Sequence, residues 1–249
     1  MIICKSAIEL EKMRRAGMVV WEVLQELTAM VRPGLATMEL EKVAEQRIRE
    51  RGARAAFKGL YNFPCVLCTS INDEIVHGIP SPKRILREGD LLKIDVGAEV
   101  EGYYGDSAVT VPVGEISPAL KQLVRVTEES LYAAIDRVRL GSRVGDVSSA
   151  VEQYVTPYGY SVVRDFVGHG IGSKLHEDPK VPNFGTPGVG PKLKEGMALA
   201  IEPMVNAGKP GSRVLQDRWT AVTEDGGCSA HFEHTVVVTG NGPWILTRP

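Results

Sequence analysis

The sequence predicts an α+β fold in which two duplicated helix–helix–strand halves close around one central antiparallel sheet. Three observations predict it. Amphipathic helices come in pairs, near residues 6–51 and 117–155. Short segments rich in branched residues follow each pair, near 91–113 and 198–238. A single shift of 107 residues superimposes the two halves in two separate places.

The elements follow in order. Ser6-x-x-Glu9 is a capping box that opens a first helix over residues 6–31. Leu10, Met13, Gly17, Val20, Leu24, Leu27 and Val31 form its apolar stripe, and Pro33-Gly34 stops it. A second helix runs from Thr37, read as its N-cap, to Arg51, with Gly52 past its end. Leu91–Val96 and Ala108–Val113 read as strands joined through Val100-Glu101-Gly102. Ser117-Pro118 pairs an N-cap with Pro at the first helical position and opens a third helix to about Leu140. A fourth covers about Val144 to Val155, before Pro157 and Gly159. Ala198–Ile201 then leads to Glu202, and Glu233 opens the strand Thr235–Val238.

The repeat lies in the residues as well as in the layout. Val31-Arg32-x-Gly34 falls on Val138-Arg139-x-Gly141, and Glu45-Gln46 on Glu152-Gln153. Five of the eighteen positions in 31–48 are identical, against about one expected from typical residue frequencies. The same shift lays Glu88-Gly89-x-x-Leu92-x-Ile94-Asp95 on Glu195-Gly196-x-x-Leu199-x-Ile201-Glu202. The expectation is one domain over residues 1–249, with half-repeats of about 1–114 and 115–249.

The 249 residues give ample length for a core, and 43% apolar with 24% charged residues is ordinary globular composition. Lys and Arg number 29 against 31 Asp and Glu, a net charge of −2 that argues against a nucleic-acid or anionic-membrane binder. No apolar run approaches the ~18 residues of a membrane span. Lys5, Glu9 and Glu11 stand where a signal peptide is apolar, so a cytoplasmic location is expected. Of the four cysteines only Cys65-x-x-Cys68 has ligand spacing, with no second pair and no His at finger distance; reduced, buried thiols are expected.

Asp95 and Asp106 are expected to face each other if the hairpin turns between residues 100 and 101. Two carboxylates that close repel, so a shared proton, a cation or a different register must intervene. Asp106-x-x-Val109-x-Val111 resembles Glu233-x-x-Val236-x-Val238, at a shift of 127. The second half therefore carries 20 extra residues, around Lys209–Asp225. Pseudo-symmetry then converges Asp95, Asp106, Glu202 and Glu233. His169, between glycines, and His176, seven residues on, are the histidines whose context points to a site; His231 and His234 read as satisfied core or surface residues. Four carboxylates and a neutral imidazole balance two divalent cations, and mostly oxygen ligands with one nitrogen favour Mn(II), Fe(II) or Co(II), with Zn(II) also compatible. Such a pair suits hydrolysis. There is no Walker A loop, H-E-x-x-H or G-x-S-x-G, and Gly168-x-Gly170-x-Gly172 is not a dinucleotide fingerprint.

Along essentially its whole length the chain resembles the type I methionine aminopeptidase family, M24-type metallopeptidases of the pita-bread (creatinase/aminopeptidase) fold. The resemblance is carried by Ser70-Ile71-Asn72 with His77-Gly78-Ile79-Pro80, by Ile94-Asp95-Val96-Gly97 and by Tyr104-Gly105-Asp106. Gly168-His169-Gly170-Ile171-Gly172 with His176-Glu177, Ile201-Glu202-Pro203 and Ser229-Ala230-His231-Phe232-Glu233-His234-Thr235 complete it.

The resemblance implies that Asp95, Asp106, His169, Glu202 and Glu233 hold two divalent ions (Co, Mn, Fe or Zn), with His77 and His176 beside them. It implies removal of the initiator Met from nascent chains whose second residue is small, by attack of metal-activated water on the first peptide bond. Glu202 would also shuttle the proton, His176 would stabilise the oxyanion, and His77 would steer the scissile amide. Phe63, Cys68 and Trp219, with His77 at the edge, would form the Met side-chain pocket. A monovalent cation near Asn72, Glu74 and Ser229 is implied as well. The implied partners are nascent polypeptide N-termini and, transiently, the ribosome; a monomer without a nucleic-acid site or membrane contact is expected. Phe57-Lys58-Gly59-Leu60 lacks the Cys and Tyr common in bacterial relatives, which bears on the pocket's fine shape. A proline-specific relative is the rival enzyme, though such proteins usually carry a large extra N-terminal domain. A binding protein with the fold but a degraded site is the rival of another class, and the full ligand set speaks against it.

Overall fold

A computed structural model describes residues 1–249. Helix α1 (Ala7–Met30) starts at the Ser6–Glu9 capping box, and α2 spans Thr37–Glu50. Helices α3 (Pro118–Ile135) and α4 (Val144–Val155) repeat the pair. The main sheet has nine strands: β1 (Arg54–Ala55), β2 (Leu67–Ile71), β3 (Leu91–Val100), β4 (Tyr103–Pro112), β5 (Gly168–Gly170), β6 (Glu177–Val181), β7 (Ala198–Ile201), β8 (Glu233–Thr239) and β9 (Gly242–Ile245). Their order is β1-β3-β4-β8-β7-β5-β6, with β2 on β3 and β9 on β8, and every pairing is antiparallel. The hairpin β3–β4 of the first half meets β7–β8 of the second at the β4–β8 seam.

The 107-residue shift holds down to single hydrogen bonds. Gly34 N–H donates to Leu86 O, and Gly141 N–H to Leu193 O; Thr37 N–H donates to Arg84 O, and Val144 N–H to Pro191 O. The buried stripe Leu40, Ala44, Ile48 of α2 matches Val147, Val151, Val155 of α4. Leu92 and Ile94 match Leu199 and Ile201, each in the core of its own half. The duplicated α+β architecture expected from the sequence is therefore present. No helix is long and apolar enough to cross a membrane.

Three local expectations need correction. Ala36, not Thr37, is the N-cap of α2: the Glu39 carboxylate accepts from Ala36 N–H, while Thr37 Oγ1 exchanges hydrogen bonds with the Ser81 backbone. Helix α3 ends at Ile135, five residues short of Leu140, where three-residue turns swing Val138 into the core. The hairpin turns at Glu101-Gly102, both with positive φ (51° and 82°), the geometry of a type I′ turn. That moves the register by two residues. Asp95 faces Ala108 and Asp106 faces Gly97, so the two aspartates are diagonal neighbours on one face rather than directly opposed.

Candidate metal centre

The register assembles the centre in two adjacent rows. One row reads Cys68, Asp95, Ala108, Glu233 across β2, β3, β4 and β8. Glu202 follows Ile201, the last residue of β7 paired with β8. The second row holds Gly97, Asp106, Ala200 and His169, with Asp106 fixed by two hydrogen bonds between its backbone and Thr235 Oγ1. Small residues stand between the polar ones and leave room above the sheet. At Gly97 a β-carbon would lie 2.6 Å from the Phe57 ring, so only glycine lets that ring cover the site.

Ligand atoms of Asp106, His169 and Glu233 all lie within 4.8 Å of one another. His169 Nε2 is 3.6 Å from Glu202 Oε1. His169 Nδ1 is 2.9 Å from Gly170 O, so it holds the donor hydrogen and Nε2 presents its lone pair to the carboxylates. Asp106 and Glu233 are only 4% and 2% exposed. Asp95 Oδ1, Asp106 Oδ1 and Glu233 Oε1 are buried with no hydrogen-bond partner.

Such a cluster is costly without cations. Burial pushes Asp95 up to about 7. Asp106, Glu202 and Glu233 stand well above the usual carboxylate range, through burial first and then repulsion among the four. Burial keeps the histidines neutral: His77 and His169 fall to about 4, His231 to about 3, and His176 is lowered as well. Unpartnered carboxylate oxygens beside an imidazole lone pair fit divalent metal ions.

The centre lies in the wall of a cavity of about 690 Å³. His77 and His176 line it, and the His176 ring packs edge-on against His169 at 4.5 Å. His77 has φ 61°, a left-handed conformation uncommon for a non-glycine residue, and packs against Phe166 at 5.4 Å. Phe63, Cys68 and Trp219 reach the same cavity, and the rings of Phe63 and Trp219 meet edge to face at 5.1 Å. All four cysteines are free thiols, and burial pushes the Cys68 thiol well up.

Every residue singled out for the metals, the chemistry and the pocket thus lines one cavity. Sequence reasoning missed the walls from Tyr61 and Phe166. It also placed His231 in the bland class. His231 is 1% exposed, and its unpartnered Nε2 lies 3.7 Å from Glu202 Oε2. Its spacing of two from Glu233 was the available signal, because alternate residues of an extended chain share a face.

Around Asn72, Glu74 and Ser229, where a monovalent cation was expected, several oxygens carry hydrogen bonds. Asn72 O accepts from Ser229 N–H and from Lys93 Nζ, and Ser229 O accepts from Lys93 Nζ. The Glu74 carboxylate accepts from Ile71 N–H and Arg84. Burial pulls Lys93 down to about 7, opposed first by Glu74.

Comparison with known proteins agrees with this geometry. The model of metallopeptidase family M24 matches residues 11–240, and the chain belongs to that family. Within it, the chain is 51% identical to "Methionine aminopeptidase" of Clostridium perfringens over 247 residues, 99% of each chain. It is 50% identical to "Methionine aminopeptidase 1" of Bacillus subtilis over 248 residues, 100% of each. The crystal structure of methionine aminopeptidase from Thermotoga maritima superimposes with a TM-score of 0.99 at 46% identity, covering 100% of both chains. The fold is therefore the pita-bread fold, and the family is one of divalent-metal peptidases.

Proposed function

We propose that the protein removes the N-terminal methionine from nascent proteins and peptides whose second residue is small, acting as one catalytic domain over residues 1–249. The observation that carries this reading is four carboxylates, two buried and two half-buried, three of them with an unpartnered buried oxygen, beside the His169 lone pair at the wall of a cavity lined by sulfur and aromatic rings. Full-length likeness to proteins named methionine aminopeptidase supports it.

Asp95, Asp106, His169, Glu202 and Glu233 would hold two divalent ions. When bound, such ions polarise the scissile carbonyl and lower the pKa of water. Glu202, whose free carboxyl already favours a proton, is placed to receive one from the attacking water and to return it to the leaving amine. His176 is neutral and can donate a hydrogen bond to the developing oxyanion. His77, which lines the same cavity, would steer the scissile amide. Phe63, Cys68 and Trp219 receive the methionine side chain, whose polarizable sulfur suits an aromatic lining. The same reading takes the protein to be a cytoplasmic monomer in transient contact with the ribosome.

The discriminating experiment offers Met-Ala-Ser and Ala-Pro to metal-loaded protein, with and without EDTA. Release of Met, abolished by EDTA, is the expected result. Release of Ala from Ala-Pro alone would move the protein to the proline-specific relatives. Inertness to both peptides would favour a binding role.

A further inference from the structure

We infer that the ammonium of Lys93 is a built-in monovalent cation: it occupies the carbonyl cage formed by Asn72 and Ser229 and makes the protein independent of sodium or potassium. Lys93 is 1% exposed, the largest fully buried side chain of the molecule. Its Nζ donates to Asn72 O at 2.7 Å and to Ser229 O at 3.0 Å. These carbonyls come from segments 157 residues apart, so the amine bridges the two halves. Asn72 O spends its second acceptor position on Ser229 N–H. The Asn72 side chain is spent too, donating to Asp90 and accepting from Leu91 N–H. Lys93 Nζ thus stands between the two carbonyls, where a diffusible ion would have to sit. Two backbone carbonyls converging on a buried amine are the surroundings of a bound alkali cation.

The position explains what the bridge does. Lys93 lies two residues before Asp95 on the same face of β3, and Ser229 lies four residues before Glu233. Opposite Lys93, Thr110 Oγ1 donates to His231 O and accepts from His231 N–H. Lys93 and Thr110 together stitch the Ser229–His231 strand to the hairpin that bears Asp95 and Asp106. Lys93 is thus a positioning residue, acting through the strands that carry the carboxylates.

The test is thermal denaturation of the full chain in choline, sodium and potassium chloride at equal ionic strength, a readout that does not depend on the peptidase reading. Wild-type Tm is expected to be the same in all three salts. Lys93→Ala, which opens the cage, should melt roughly 5–10 °C lower in choline chloride and recover in potassium or sodium. Lys93→Met fills the volume without donors and should melt low in every salt. Stabilisation of the wild type by sodium or potassium over choline would overturn the inference. So would a Lys93→Ala protein with no alkali-cation response. If Lys93→Ala does not fold in choline chloride, refolding it in each salt reads the same contrast.

Discussion

At the residue scale, the ligands and the flanking histidines differ in what their removal should do. Asp106 is buried among acceptors, and one of its oxygens has no hydrogen-bond partner. Asp106→Ala is expected to lose at least one bound ion per chain, measured by metal analysis after desalting; unchanged metal content would refute its ligand role. His77 touches Phe166 rather than the carboxylate cluster. His77→Ala should keep wild-type metal content and lose turnover by on the order of 100-fold or more. Much of this was legible in the residues, since a carboxylate falling on a carboxylate under one shift marked the cluster before any coordinates. Lys93 and His231 were not. A lysine two residues before a ligand looks like a solvated charge until the strand that caps it is in place. His231 showed only its spacing of two from Glu233, and the path of the Ser229–His231 strand brings it to the centre.

At the element scale, α1 rests on β4 at Gly105 and against the Leu246 backbone at its own Gly17. A β-carbon on Gly105 would lie 2.6 Å from Gly17 N, and one on Gly17 would lie 2.4 Å from Leu246 O. Backbone cannot yield as a side-chain tip does. Gly17→Ala should therefore cost about 1–3 kcal/mol and lower Tm by roughly 2–12 °C, read by calorimetry; an unchanged Tm would contradict this packing. Helix starts were legible where the chemistry is local, as at Ser6 and Glu9. The Ala36 cap was harder, because its side chain makes no bond and Glu39 does the work from inside the helix. The hairpin register was misplaced by two because the tight turn fell on Glu101-Gly102, where a non-glycine residue adopts positive φ.

At the scale of the whole molecule, Asp95 and Asp106 come from the first half and His169, Glu202 and Glu233 from the second. Neither half alone is expected to bind metal as the whole chain does. Closing the halves gathers four carboxylates whose proton affinity is raised. A divalent ion must displace the protons that the metal-free site retains, whereas His169 is already neutral. Metal affinity should therefore fall as pH is lowered from 8 to 5, passing through the value of about 7 at Asp95. Each displaced proton contributes about tenfold per pH unit. Competition titrations across that range check it, and a flat profile would mean that the carboxylates are ionised without metal.

The most direct test of the central claim is an anaerobic titration of metal-free protein with Mn(II), Fe(II), Co(II) or Zn(II), following bound ion and Met release from Met-Ala-Ser in the same samples. No release without metal, release that rises with bound ion, and saturation at two ions per chain are the expected results. Met release by metal-free protein, or a saturated centre that releases none, would contradict it.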